Sequence, residues 1–373
     1  MRTEKVGYIR NFDYIMLLAA LALVAFGVIL IYSGSLPNYA TSAAVIEEPV
    51  ARQIIFAAIG LAAMFGISRV DYRLAGYVAM FLYGGAILSL LFVLAAGEAI
   101  YGSRRWVELA GVQVQPSELT KLILIIVLAK YLTDRQERIR ELPVFLSSLA
   151  IALLPAMLVF AEPDLGSAVI LLTIWLAMVI IAGGRAAHVL GLVASGLIAA
   201  PFALIAVVSD YQRERIATFL NPGKDPLGSG FNTLQAEISI GSGRIFGKGL
   251  THGTQTQLDY LRTQTTDYIF SVLGEELGFV GVVVLFALFI VLLMRSLQTA
   301  SSARDPFGRL LATGICTYIL FQVFINIGVN IRLLPVTGIP LPFISAGGSS
   351  LVTLFIAIGI LQSVRTHHGP SEW

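Results

Sequence analysis

Ten apolar runs divide this chain, at roughly 12–34, 52–68, 74–97, 116–133, 142–161, 166–183, 186–208, 267–294, 308–328 and 345–364. A helix needs about 20 apolar residues to cross the hydrocarbon core of a bilayer, and its backbone polar groups must be satisfied within the helix itself. The runs therefore predict an all-α polytopic membrane protein, a single integral membrane domain over 1–373 with about ten transmembrane helices. Composition agrees, because 13% charged residues is about half of what an ordinary soluble domain carries. The first run follows Arg2, Lys5 and Arg10 as a signal peptide would. It passes twenty residues without a small-residue cleavage site, however, and reads as a retained helix.

Charge sets the orientation. With the N-terminus inside, the short cytoplasmic segments hold Arg2, Lys5, Arg10, Arg69, Arg73, Arg135, Arg138, Arg140, Arg185, Arg295, Arg304, Arg309 and Arg365, against Arg52, Arg104, Arg105 and Arg332 outside. Thirteen against four satisfies the positive-inside rule, and an even number of spans brings both termini to the cytoplasm. Three polar elaborations then face outward: "YGSRRWVELAGVQVQPSEL", a long extracytoplasmic loop over 209–266, and "NIGVNIRLLPVTGIPLPFISAGGSS". In the long loop, "YQRERIATFLNP" and "GFNTLQAEISIG" read as short interfacial helices; in the second, Phe231, Leu234 and Ile238 share one side and Gly241 can end it. The tail, 366–373, reads as disordered. A net charge of +2 spread over many loops argues against a nucleic-acid partner, and the single Cys316 allows no internal disulfide.

Ionisable groups at membrane depth are costly and usually face a cavity or a partner. Glu118 and Lys121, at i, i+3 spacing, share a helix face as an ion pair. Asp164 in "EPDLGS" is either a helix cap or a site residue. Asp267 poses the same choice, since "TTD" suits a helix start, yet it closes a loop whose Arg213, Arg215, Lys224, Arg244, Lys248 and Arg262 can meet an anionic headgroup. A carboxylate beside basic donors is a candidate acid/base or metal site. Glu275 and Glu276, two turns deeper, read as structural. The stretch "GSGRIFGKG" is not a P-loop, because Ser242 and Gly249 stand where that motif needs Gly and Ser or Thr; its glycines read as a tight turn, with Lys248 near phosphate.

Taken in order, "GSRRWVELAGVQVQPSELTKL", "PDLGSAV", "YQRERIATFLNPGKDPLGSGF", "QAEISIGSGRIFGKGLTHGTQTQL", "TDYIFSVLGEELGFVG" and "LLPVTGIPLPFISAGGSS" resemble the SEDS family (shape, elongation, division and sporulation) over nearly the whole chain. "GTQTQL" is similar to the elongation branch. The resemblance implies a glycosyltransferase of the bacterial cytoplasmic membrane that polymerises lipid II into peptidoglycan strands on the outer face, beside a class B penicillin-binding protein that crosslinks them. It places the essential aspartate at Asp267 and a motif at Gln115, Pro116, Ser117 and Glu118, followed by Lys121. Asp164 belongs to a second motif, and Arg104, Arg105 and Trp106 to the first outer loop. Arg213, Arg215, Lys248, Thr254 and Gln257 complete the candidate substrate contacts. The chain departs from the family where Leu261, Arg262, Thr263, Gln264 and Thr265 stand for a usual Leu-Pro-Glu, basic residue and His before Thr266 and Asp267, at Ala346 for Tyr, and at Arg332 for Gly.

An α-linked diphosphate donor that yields a β-1,4 linkage implies one inverting displacement. Asp267 would then be the base that takes the acceptor hydroxyl's proton, or the ligand of a divalent cation, magnesium or manganese, on the diphosphate. Polyprenyl tails would lie in grooves open to membrane lipid. Two other classes remain open from sequence: a lipid II flippase or transporter, which would also bury carboxylates, and a non-catalytic scaffold for the penicillin-binding protein, in which Asp267 is a helix cap.

Overall fold

The computed structural model describes residues 11–36, 47–100, 103–109, 112–206, 210–224, 230–261 and 263–367; the side chains of Arg104 and Lys224, all of Arg262 and the tail after His367 lie outside that description. The helices, in chain order, are α1 (Tyr14–Ser35), α2 (Glu47–Ser68), α3 (Arg73–Ala96), α4 (Pro116–Asp134), α5 (Leu142–Ala161), α6 (Leu165–Ile181), α7 (Ala186–Ala206), α8 (Asp210–Leu220), α9 (Phe231–Ser242), the one-turn α10 (Thr254–Gln257), α11 (Ile269–Ser302), α12 (Pro306–Asn330) and α13 (Gly348–Thr366). Each predicted apolar run coincides with one of the long helices. Seven of these, α1, α2, α3, α5, α11, α12 and α13, are long and apolar enough to cross a membrane. The chain is a multi-pass, mostly helical membrane protein.

Packing follows side-chain size. Gly60 and Gly348 let α2 and α13 close on each other, since a Cβ at either would stand 2.6 Å from Phe355 or 2.5 Å from Phe56. Central α12 is buried around most of its circumference and packs against α4, α6, α11 and α13. Peripheral α3 instead turns Tyr77 and Phe81 outward, 77% and 83% exposed, as a lipid-facing helix should. At one end of the bundle Asp13 receives Arg295 Nε at 2.8 Å and also Arg365, while Gln362 Nε2 donates to the Asp13 carbonyl at 2.9 Å. Both ends of the described chain therefore meet at one end of the bundle, and Asp267 lies at the other end of α12.

One local reading is corrected, and the buried face of one helix is defined. The first outer loop is an antiparallel sheet of β1 (Glu98–Ile100), β2 (Ser103–Leu109) and β3 (Val112–Val114), in the order β1-β2-β3; such short strands lack a period long enough to show in sequence. In α9 the buried face is Thr233, Ala236 and Ser239, which fits against neighbouring helices, while Phe231 and Leu234 are half-buried and Ile238 is half exposed.

The longest helix is interrupted. Gly278 in α11 adopts φ +62° and ψ −159°, a conformation that favours glycine. The backbone groups released there are taken by the glycine-rich turn: Lys248 N and Gly249 N donate to the carbonyls of Glu275 and Glu276 at 3.0 and 2.9 Å, and Phe279 N and Val280 N donate to Arg244 and Ile245 at 2.9 and 3.0 Å. A Cβ at Gly243 would sit 1.8 Å from the Gly274 oxygen and one at Gly247 2.1 Å from the Glu276 oxygen. "GSGRIFGKG" is thus a backbone splice that mends a broken helix.

Candidate active site

Asp267 stands just before α11, and the N-cap residue of that helix is Tyr268, with no side-chain capping bond. The aspartate therefore does not cap the helix. Burial pushes its carboxyl above the ordinary carboxylate range, opposed by the guanidiniums of Arg215 and Arg105 and by a hydrogen bond from Thr266, with Asp164 adding a further upward push. Gly338, at φ +77°, lies between Arg105 and Asp267: a Cβ there would stand 3.6 Å from Arg105 Nη1 and 3.8 Å from Asp267 Oδ2.

Each arginine is aimed by a main-chain carbonyl. Arg105 projects from β2, donating through Nε to the Glu162 carbonyl at 3.0 Å and through Nη2 to the Pro163 carbonyl. Arg215 projects from α8 and donates to the Val336 carbonyl at 2.9 Å. Asp164 caps α6 by accepting from Ser167 N at 3.0 Å and takes Gln115 Nε2 at 3.3 Å on its other oxygen. The sequence motifs holding Gln115 and Asp164 are thereby joined behind Arg105. Beside Arg215 and Tyr268, the residue after Asp267, opens a cavity of about 250 Å³ whose lining also includes Glu214, Phe219, Asn232 and Thr233. Two aromatic rings, an amide and a guanidinium suit a polar ring with an apolar face.

Other predicted contacts have hydrogen-bond partners within the protein. Lys248 Nζ binds Glu275 Oε1 and Thr254 Oγ1, each at 2.7 Å, and Gln257 Nε2 donates to the Ser33 carbonyl at 3.2 Å. These side chains fasten the splice and α10 to α11 and α1. Lys121 and Glu118 form a buried pair at 2.7 Å, with Tyr318 donating to the second carboxylate oxygen at 3.1 Å. Ser117 is buried beside this pair, with no hydrogen-bond partner for its hydroxyl among the described residues. Trp106 is half-buried on β2 and Arg213 is on the exposed side of α8.

Two features were missed in sequence. Glu162, 1% exposed and without a partner for either carboxylate oxygen among the described residues, is pushed up to about 8 by burial and by Asp164, against the pull of Arg105. Its burial comes from β2 folding across the turn, a non-local event. The second is a run of buried polar residues on α12, Tyr318, Gln322, Asn326 and Asn330, and its four-residue spacing was visible. As for a cation, the described residues hold no cluster of three or more His, Cys, Asp or Glu side chains placed as metal ligands. Next to Asp267 the protein supplies two guanidiniums as the positive charge, and Asp267 is the carboxylate that would hold a metal.

The sequence profile of the FtsW, RodA and SpoVE cell cycle proteins matches residues 13–369. The chain is 40% identical over 362 residues to the probable peptidoglycan glycosyltransferase FtsW of Geobacter metallireducens, covering 96% of each. It is 38% identical to the peptidoglycan glycosyltransferase MrdB of Escherichia coli K12, over 96% of this chain and 94% of that one. Among solved structures it resembles the rod shape determining protein RodA of Thermus thermophilus, with TM-score 0.69, 30% identity, and 95% and 96% of the two chains covered. It also resembles a chain from a structure described as "Structural coordination of polymerization and crosslinking by a peptidoglycan synthase complex", with TM-score 0.80, 31% identity, and 96% and 99% covered.

Proposed function

The chain belongs to the SEDS family of FtsW, RodA and SpoVE proteins, and on that premise we propose that it is a peptidoglycan glycosyltransferase that polymerises lipid II, with Asp267 as its base. The observation that carries the assignment of Asp267 is its setting: a carboxyl that caps nothing, raised by burial and flanked by two carbonyl-aimed arginines.

The chemistry needs few groups. Asp267 takes the proton of the acceptor sugar hydroxyl as that oxygen attacks the donor's anomeric carbon. The bond from that carbon to the diphosphate breaks, the anomeric configuration inverts, and the diphosphate leaves as an anion. Arg105 and Arg215 stabilise the departing charge, and their fixed geometry spares reorganisation during the step. A raised carboxyl is the stronger base, which suits it to take a proton near neutral pH. The cavity beside Tyr268 takes a sugar of the substrate. Were Asp267 instead to hold a divalent cation, the ion would supply further positive charge to the leaving diphosphate.

The elongation branch is our assignment, supported by "GTQTQL" and the likeness to RodA. A class B penicillin-binding protein is the proposed partner, supported by the likeness to a member of a polymerising and crosslinking complex. Glycan formation from purified lipid II, with that partner's transpeptidase site blocked, tests the reading. Wild type should make polymer and folded Asp267→Asn should lose at least about 100-fold. Equal polymer from both would remove Asp267 from the chemistry, and none from either would favour a flippase or scaffold.

A further inference from the structure

In a regular helix the carbonyl of residue 267 would bond to the amide of residue 271, four positions on. Here a side chain stands between them. Asn330 Nδ2 donates to the Asp267 carbonyl at 2.8 Å, and Asn330 Oδ1 accepts from Ser271 N at 3.2 Å and from Ser271 Oγ at 2.7 Å. Asn326, one turn back on α12, adds a second donor to the Asp267 carbonyl at 3.2 Å and holds the Ile339 carbonyl at 2.8 Å. Further back, Gln322 Nε2 donates to the Pro340 carbonyl at 3.1 Å. The same face of α12 therefore fixes Asp267 and the segment leading away from Gly338, which lies between Asp267 and Arg105. Asn330 and Asn326 are 1% and 2% exposed, so water does not compete for these bonds.

The arrangement explains why Asp267 is not a cap. An aspartate at the N-cap accepts from an amide of the first turn, but Asp267 stands one position before the N-cap, Tyr268, which makes no side-chain capping bond. We propose that Asn330, seconded by Asn326, is a positioning residue for the transfer reaction: it satisfies the start of α11 in place of Asp267 and so leaves that carboxylate facing Arg105, Arg215 and substrate. This rests on the reading of Asp267 as the base. The groups acting on that carboxyl from neighbouring elements are Arg105 on β2, Arg215 on α8, Asp164 before α6 and Thr266 in its own segment. The asparagines add no charge to them and act through geometry.

Replacing Asn330 with leucine removes the 2.8 Å donor from the Asp267 carbonyl and leaves the Ser271 amide, which also donates to the Tyr268 carbonyl at 2.9 Å, as that carbonyl's regular-helix partner; Asp267 then becomes the N-cap and its carboxylate accepts from an amide of the first turn. A carboxylate that accepts an amide hydrogen bond is a weaker base with a lower pKa. The test measures polymerisation of purified lipid II against pH, with the partner present and folding checked by detergent melting temperature. Asn330→Leu should lower kcat by about 10- to 100-fold with KM within about twofold, and move the acid limb of the pH profile downward. Asn326→Leu, which leaves Ser271 satisfied, should lower kcat less and leave the limb in place. Should Asn330→Leu fail to fold, Asn330→Asp keeps the acceptor for Ser271, loses the amide donor and adds a negative charge, so its limb should move upward. Folded variants with wild-type kcat and an unmoved limb would overturn the proposal, as would a lower melting temperature alone. Asp267→Asn is run alongside: if it stays active, the base assignment fails; if it is dead while the asparagine variants behave as wild type, only the positioning role fails.

Discussion

Two carboxyls at one site, Asp267 partly exposed and Glu162 buried, differ in what holds them. Asp267 has opposing arginines, and its pH profile should show an acid limb above the ordinary carboxylate range, because the base must lose its proton before it can act. Glu162 has no partner among the described residues. It keeps its proton in the folded state up to about 8, whereas the unfolded chain releases it near 4.5. Between those limits the folded state binds the extra proton, so this group's contribution to stability falls as pH rises. Glu162→Gln removes that loss, and its melting temperature relative to wild type should climb from pH 4.5 to pH 8. A constant difference would mean that the carboxyl is satisfied. Sequence pointed to Asp267 by its position after a basic loop and by family motif, but left capping open, because the group that displaces it, Asn330, is 63 residues away. Glu162 was illegible for a similar reason: nothing local buries a glutamate in a turn.

Among the elements, the spliced helix α11 makes the sharpest claims. Gly247→Ala meets the Glu276 oxygen and takes a left-handed backbone with it, which should cost about 2 kcal/mol or more, seen as a lower melting temperature. Lys248→Met removes the ammonium from Glu275, whose side chain is fully buried while that of Lys248 is 27% exposed. A loss of about 1–3 kcal/mol in stability is expected, with KM for lipid II unchanged; a raised KM at unchanged stability would restore Lys248 to the substrate. The ten apolar runs marked the long helices well because burial in lipid demands continuous hydrophobicity. The break at Gly278 escaped detection, since a lone glycine in such a run is common and the turn that mends it lies about thirty residues earlier in the chain.

For the whole molecule, the two ends of the described chain meet in one clamp of Asp13, Arg295 and Arg365, and Asp267 sits at the opposite end. Asp13→Ala leaves two arginines without their carboxylate and α1 without its cap. It should destabilise by about 2–4 kcal/mol, measured as a fall in melting temperature with KM retained. The polar face of α12 joins the depth of the bundle to the reactive end. A helix turns about 100° per residue, so side chains placed every fourth position advance by about 40° at each step. From Tyr318 to Asn330 the line of polar groups thus winds roughly a third of the way around α12 over about 18 Å, meeting α4 first, then the 339–340 segment, then the start of α11. An inserted or deleted residue within 319–329 would swing the outer asparagines by about 100° relative to Tyr318, so this stretch of an otherwise lipid-like helix should tolerate changes of apolar side chain far better than any change of length.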